Sequence, residues 1–250
     1  MTVWTLDPEH AVGPSGEALA DLDAAFALQG KQITKDSISE VLYVQVGMRG
    51  YYVKRYHAEG SWLRRLIARP RIKGEWQNLL YFHAWGIPAA RVVAYGMERR
   101  RGAFHRGAVI TEELYGTQDL AELASKRDPR LRDGQWLKHV MQQIASATRI
   151  MHDRGFAHND LKWRNILVDD QPLPNIYMID CPTGAFWWGP FLEYRKNKDL
   201  ACLDKLGRTE LSRTQRLRFY LMYVDRQRLT PADRKRIRLI LGHMQRRRHN

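Results

Sequence analysis

Two cysteines in 250 residues, Cys181 and Cys202, are too few for a disulfide framework, and neither belongs to a metal-ligand cluster. A reducing compartment is the simpler expectation. No run of about 18 apolar residues occurs, so no transmembrane helix is expected. The opening MTVWTLDPEH lacks a basic segment followed by an apolar one and is not a secretory signal. There is no internal repeat and no low-complexity tract. Acidic side chains are scarce: 27 Asp and Glu face 41 Lys and Arg, a net charge of +14. That balance favours an anionic partner, whether nucleic acid, an acidic membrane surface or a phosphorylated ligand, without choosing among them. The hydrophobic fraction of 44% is that of a globular protein, and the length suffices for one two-lobed fold or two small domains.

What is present centres on residues 158–180, HNDLKWRNILVDDQPLPNIYMID. His158-Asn-Asp160-Leu-Lys162-x-x-Asn165 has the form H-x-D-x-x-x-x-N of the kinase catalytic loop. A short apolar run follows, then a turn rich in Asp, Pro and Asn, a second apolar run and Asp180. The pattern predicts loop, strand, turn and strand, returning Asp180 to the edge that carries Asn165. Phosphoryl transfer needs an in-line hydroxyl, neutralised phosphate charge and Mg²⁺. Asp160 is the candidate base that orients the acceptor hydroxyl. Lys162 is the candidate cation over the transferring phosphoryl group. Asn165 and Asp180 offer the hard oxygen ligands that Mg²⁺ takes. The competing reading is a chance His-x-Asp in a surface turn, which has to place four matched positions and the later Asp by accident.

Upstream, residues 1–15 read as an irregular lead-in and 16–28 as a short helix closed by Gly30. The period then changes, and 41–46 and 51–56 read as strands joined by a turn over 47–50. Lys54 lies in the second strand, where a kinase carries the lysine that holds the α- and β-phosphates. An exposed strand lysine is the alternative, and the downstream catalytic loop decides against it. No GxGxxG precedes Lys54. The equivalent loop is Lys35-Asp-Ser-Ile-Ser39, where backbone amides and the Ser37 and Ser39 hydroxyls are the candidate phosphate contacts. Residues 57–73 mix Trp62, Leu63, Leu66 and Ile67 with Arg64, Arg65, Arg69, Arg71 and Lys73. Two readings stand for them: a surface for anionic lipid, or a helix packed on its own lobe with a solvated basic face.

Residues 74–86 read as a helix with Glu75 in its first turn, placed to pair with Lys54. A helix-start carboxylate favoured by the dipole is the alternative. Residues 87–96 and 107–114 read as strands, the second ending in a hinge. There the backbone of Glu112 and Leu114 is the candidate holder of an adenine edge, with Thr111 behind the base.

Thr117 or Asp119 is the expected N-cap of the next helix. The clearest helix spans 136–153, with Trp136, Leu137, Val140, Met141, Ile144, Ala147, Thr148 and Met151 on one stripe that forms core. His152 reads as a buried structural histidine, with a catalytic role as the alternative. The aromatic run Phe186, Trp187, Trp188 and Phe191 is either a wall of the acceptor site, since sugars stack on aromatic faces, or a hydrophobic plug. Asp199 is expected to begin a helix and tie back to the catalytic-loop backbone. Helices are also expected over 211–228 and 231–245. The arginines of the tail, 246–248, form a solvated face or add to an anionic-surface contact.

The expected fold is α+β, two-lobed and protein-kinase-like. A small antiparallel-sheet lobe covers residues 1–113, and a mainly helical lobe with the catalytic loop covers 114–250. Asp180 and Asp199 are 19 residues apart, with no Ala-Pro-Glu between them. Protein kinases use a longer segment there to hold an extended peptide, so a small or projecting acceptor is expected. Asn159 replaces the arginine of kinases switched on by loop phosphorylation, and constitutive activity is expected.

Tyr52-x-Lys54, Gly74-Glu75-Trp76, Ile110-Thr-Glu-Glu-Leu114, Met151-His-x-x-Gly155, His158-x-Asp160 and Lys198-Asp-Leu-Ala201 together resemble the lipopolysaccharide core heptose kinases. These belong to a wider family of small bacterial kinase-like proteins that includes the Kdo kinases. The resemblance covers residues 40–205; its His-x-Asp loop is generic to kinases, while the hinge and the Lys-Asp-Leu-Ala segment are more particular. It implies ATP with Mg²⁺ as donor and a sugar hydroxyl of the lipopolysaccharide inner core, heptose or Kdo, as acceptor. It also implies a cytoplasmic enzyme peripheral to the inner membrane, whose anionic surface the basic charge suits at on the order of 1 kcal/mol per residue. No nucleic acid is expected as a partner. The competing classes are a small-molecule kinase of the aminoglycoside or choline type, a compact atypical protein kinase, and a non-enzymatic binder. The last leaves Lys54, Glu75, Asp160, Asn165 and Asp180 unexplained.

Overall fold

Period-two alternation along one strand organises the first part of the chain. In β4 (Arg49–His57), Tyr51 and Val53 are fully buried against α1 (Pro14–Ala18) and α2 (Leu22–Ala27). Arg55 points the same way and donates to the carbonyls of Ala25 and Leu28, satisfying the last turn of α2. Lys54 and Tyr56 therefore face the opposite side, toward α4 (Arg71–Ala84). The computed structural model describes residues 1–245, so the tail arginines lie outside the described residues. It divides into two units: Met1–Phe82 with Ala90–Leu114, and His83–Ala89 with the chain from Tyr115 onward.

The first unit carries a six-stranded antiparallel sheet. Besides β4 it contains β1 (Thr2–Leu6), β2 (Lys31–Lys35), β3 (Ser39–Val46), β5 (Val92–Arg100) and β6 (Ala103–Glu112), in the order β1-β5-β6-β4-β3-β2. The lead-in expected to be irregular is an edge strand, pairing from Thr2 opposite Glu98 to Leu6 opposite Ala94. Gly96 permits it, because a side chain there would collide with the Val3 carbonyl. The single helix expected over 16–28 is two. Asp21 breaks it by accepting the Ala24 amide at 2.7 Å and so capping a new helix. A two-residue hairpin, Arg101 (φ 50°) and Gly102 (φ 80°), joins β5 to β6 with the two positive φ values of a type I′ turn. Helix α3 (Trp62–Ile67), capped by Ser61, precedes α4.

The second unit is mainly helical. Its centre is α6 (Gly134–Asp153), whose N-cap Asp133 accepts the amides of Gln135 and Trp136. All eight residues of the expected apolar stripe are buried. Asp119 caps α5 (Leu120–Ser125). Helix α7 (Gly189–Glu210) starts ten residues before Asp199, which lies mid-helix rather than at the start as expected. Leu200, Ala201, Tyr220, Tyr223 and Ile240 pack α7, α8 (Arg213–Val224) and α9 (Pro231–Gln245) around Ala145 of α6. Two small sheets frame the loop sequence: β7 (Gln118–Asp119) with β9 (Ile166–Val168) and β10 (Ile176–Met178), and β8 (Phe156–Ala157) with β11 (Ala185–Phe186). Among the described residues no helix is long and apolar enough to cross a membrane.

Candidate active site

In the first unit, β4 and α4 bring Lys54 and Glu75 together. Lys54 Nζ lies 2.9 Å from Glu75 Oε1, and the Tyr56 hydroxyl donates to Glu75 Oε2 at 2.8 Å. The Glu75 side chain is 6% exposed. A carboxylate so buried costs several kcal/mol unless each oxygen is paired, and here both are. Helix α4 begins at Arg71, three residues earlier than expected, so Glu75 sits in its second turn and the dipole of the first turn does not account for it. Burial, and then the charge of Glu75, push the Tyr56 phenol far above its ordinary value, which keeps it a donor. Tyr56 was readable as a neighbour of Lys54, since residues two apart in a strand share a face.

The turn between β2 and β3 occupies the place of the missing glycine-rich loop. Asp36 Oδ1 accepts the amides of Ile38 at 2.8 Å and Ser39 at 2.7 Å, and Oδ2 accepts the Ser39 hydroxyl at 3.1 Å. Ser39, expected to meet phosphate, is thus bonded to a carboxylate, while Ser37 is exposed. The Ile38 amide above all, then Ser39 and the Lys54 charge, hold the Asp36 carboxyl below the usual range against the effect of burial. At the end of β6 the Glu112 amide donates to the Arg91 carbonyl at 3.0 Å and the Glu113 amide to Gly50 at 2.9 Å. Leu114 closes the first unit.

In the second unit the catalytic-loop sequence runs from β8 through one 3₁₀ turn, Trp163–Asn165, into β9. Lys162 Nζ lies 2.5 Å from Asp160 Oδ1, and Arg164 lies 3.9 Å from the other oxygen. Asn165 Nδ2 donates to the Asp160 carbonyl at 2.9 Å. That bond anchors the amide nitrogen and makes the oxygen the end that can serve a cation. The Ile179 amide donates to the Asn165 carbonyl at 3.0 Å, which returns Asp180 beside Asn165 as the loop–strand–turn–strand pattern requires. Asn159 and Asp180 adopt φ of 66° and 56°. Such conformations are costly for non-glycine residues, least so for Asn and Asp, and they cluster at functional sites.

Asp199 accepts the His158 amide at 2.7 Å, tying the loop to α7. His152 bridges the same carboxylate oxygen at 3.4 Å and the Tyr223 hydroxyl at 2.8 Å, which makes it structural. Burial holds His158 below the ordinary histidine value. The aromatic run divides. Phe186 stacks edge-on with Phe156 and Trp85, and Trp187 lies under the Arg195 guanidinium, whereas Trp188 and Phe191 are 76% and 67% exposed. Neither Asp36 nor Arg195 was singled out in advance, because a turn aspartate and a helix arginine carry no motif.

The model of the lipopolysaccharide kinase (Kdo/WaaP) family matches residues 25–223. The chain belongs to that family. Kdo/WaaP members are kinases, so this chain is a phosphotransferase acting on an alcohol group, and ATP use is implied. It is 28% identical over 220 residues to the lipopolysaccharide core heptose(I) kinase WaaP of Pseudomonas aeruginosa, covering 82% of this chain and 80% of that protein. A solved structure of WaaP in complex with acyl carrier protein superposes with a TM-score of 0.72 at 26% identity, covering 98% of this chain and 97% of the other. The fold is therefore the two-lobed kinase-like one expected.

Proposed function

We propose that this Kdo/WaaP family member is an ATP- and Mg²⁺-dependent kinase that phosphorylates a sugar hydroxyl of the lipopolysaccharide inner core at the inner face of the cytoplasmic membrane. The observation that carries this reading is the Asp160–Lys162–Asn165 loop, held to α7 by Asp199. Asp160 orients the acceptor hydroxyl and takes its proton as the new P–O bond forms and the bond from the γ-phosphorus to the bridging oxygen breaks, with ADP as the leaving group. Lys162 faces the transferring phosphoryl group. Lys54, aimed by Glu75, holds the α- and β-phosphates. The backbone of Glu112 and Leu114 takes the adenine edge. Ser37 and Ser39 are the hydroxyls nearest the phosphates, Ser39 after its release from Asp36. Asn165 Oδ1 and the Asp180 carboxylate are the residues that would hold Mg²⁺, two hard oxygen donors of the kind that this cation takes. The cation held there would supply neutralisation of the phosphate charge.

Heptose is the first acceptor to test, ahead of Kdo, because the 28% identical relative is named for heptose(I). Helix α3 supports a contact with anionic membrane. Trp62, Leu63 and Ile67 are 50%, 59% and 76% exposed, and Arg64 and Arg69 stand among them. Such a mixture suits an acidic lipid surface. The neighbour's partner, an acyl carrier protein, extends to this chain on one observation. The second unit carries a partly open apolar cavity of about 450 Å³, lined by Leu137, Val140, Ile144, Leu200, Leu217 and Ile240 among others, a space suited to an acyl chain.

Mass spectrometry of the lipopolysaccharide core from cells with and without the gene tests the function. Loss of one phosphate from a core sugar is expected, restored by the wild-type chain and not by Asp160→Ala. An identical core in both strains refutes the reading.

A further inference from the structure

The segment after Asp180 is fastened to the catalytic loop at several points. Ala185 and Phe186 pair with Ala157 and Phe156. The Trp187 amide donates to the Gly155 carbonyl at 2.8 Å. Asn159, 9% exposed, donates through Nδ2 to the Thr183 carbonyl at 2.8 Å and accepts through Oδ1 from Arg195 at 3.3 Å. The same guanidinium lies 4.4 Å from the Trp187 ring centroid and 5.8 Å from that of Tyr194. One cation on α7 thus touches both the catalytic loop and the segment that follows Asp180.

The backbone at Asn159 is left-handed, a conformation that glycine adopts without penalty. The side chain at this position nevertheless makes three bonds, donating to the Thr183 carbonyl and, at 3.4 Å, to that of Ala157, and accepting from Arg195. In kinases that are switched on by phosphorylation, new arginine–phosphate pairs order the corresponding segment. Here the charged partner is a guanidinium supplied from within, and its acceptor is a neutral amide next to Asp160. We propose that Arg195 is a positioning residue: acting through Asn159 and Trp187, it locks residues 181–187 against the catalytic loop, so the site needs no activating phosphorylation. The link to catalysis rests on the function proposed above, whereas the lock itself does not.

Hydrogen exchange of the peptide covering 181–188 tests the lock on the full chain, with kcat and the KM for ATP measured on lipopolysaccharide core. Asn159→Gly removes the side chain without straining the backbone, and Arg195→Ala removes the cation. Each is expected to speed exchange about tenfold, the worth of one charged hydrogen bond. A matching fall in kcat is expected, with the KM for ATP within about twofold. The double variant is expected to fall short of the product of the two singles, because both changes remove the shared Arg195–Asn159 contact, while Asn159 alone holds Thr183 and Arg195 alone stacks on Trp187. Arg195→Lys, which keeps the charge and loses the planar stack, is expected to restore little. Unchanged exchange in both single variants, or effects that multiply in the double, overturns the proposal. So does a fall in kcat after phosphatase treatment of the wild-type chain. Exchange needs no acceptor, so a chain inactive on lipopolysaccharide but altered in exchange refutes the substrate and keeps the lock.

Discussion

Tyr56→Phe tests the hydroxyl that donates to Glu75 in the first unit. The substitution deletes a single oxygen, the donor 2.8 Å from Glu75 Oε2, in a residue 5% exposed. The ring stays, and with it the contact of Lys54 Nζ 5.6 Å from the ring centroid. What disappears is a hydrogen bond to a buried charged acceptor, about 1.5–3 kcal/mol. Each kcal/mol moves the midpoint of a chain this long by about 2–4 °C, so the thermal midpoint is expected to fall roughly 3–12 °C. Glu75 then keeps its contact with Lys54 and loses the bond that fixes its second oxygen. Lys54 loses its fixed direction, and the KM for ATP is expected to rise severalfold with a smaller change in kcat. Thermal unfolding and an ATP titration read the two effects separately. An unchanged midpoint together with an unchanged KM would show that packing alone holds the pair.

Four further outcomes are expected. Asp180→Ala abolishes the Mg²⁺-dependent part of ATP binding, which calorimetry with and without Mg²⁺ measures; equal affinity to wild type counts against the metal role. Neutralising Arg64, Arg65 and Arg69 to Gln weakens binding to anionic vesicles and removes its salt dependence, so binding indifferent to both reduces α3 to packing. Leu217→Trp, at a cavity residue 39% exposed, blocks capture of acylated carrier protein with little change in stability. The fourth concerns Asp233, at the start of α9. Burial opposes its charge, but the Thr230 hydroxyl and amide, the Tyr220 hydroxyl and Arg226 together hold its carboxyl far below the ordinary aspartate range. A carboxyl lowered in this way stabilises the fold above its unfolded value, and the contribution is lost as pH falls through the folded one. Urea midpoints at about pH 4 and about pH 2 are expected to drop less in Asp233→Asn than in the wild type.

The arrangement of the proposed reacting groups was legible and much of their support was not, for a physical reason. On the proposed function Asp160, Lys162 and Asn165 act on one phosphoryl group and so must lie within one loop, which makes their spacing a motif. Asp180 was placed by a strand, a turn and a strand, each with its own local signal. The Lys54–Glu75 pair needed two periodicities to agree, and they did, although the helix began three residues sooner than its pattern suggested. The edge strand at Thr2–Leu6 escaped notice because an edge strand buries little and so shows little alternation. The break at Asp21 escaped because an aspartate reads equally as an exposed helical residue and as a cap. The groups that aim the reacting atoms are harder still. Tyr56 reaches Glu75 across 19 positions and Arg195 reaches Asn159 across 36, whereas Asp199, which reaches His158 across 41, was expected only because it lies in a recognisable Lys-Asp-Leu-Ala segment. A buried carboxylate or a loop amide accepts a donor from any element that passes close enough, so many sequences satisfy the same need and none repeats a pattern. Side chains that perform the transfer are constrained by the substrate, whereas side chains that hold them are constrained only by reach, and reach belongs to the folded chain.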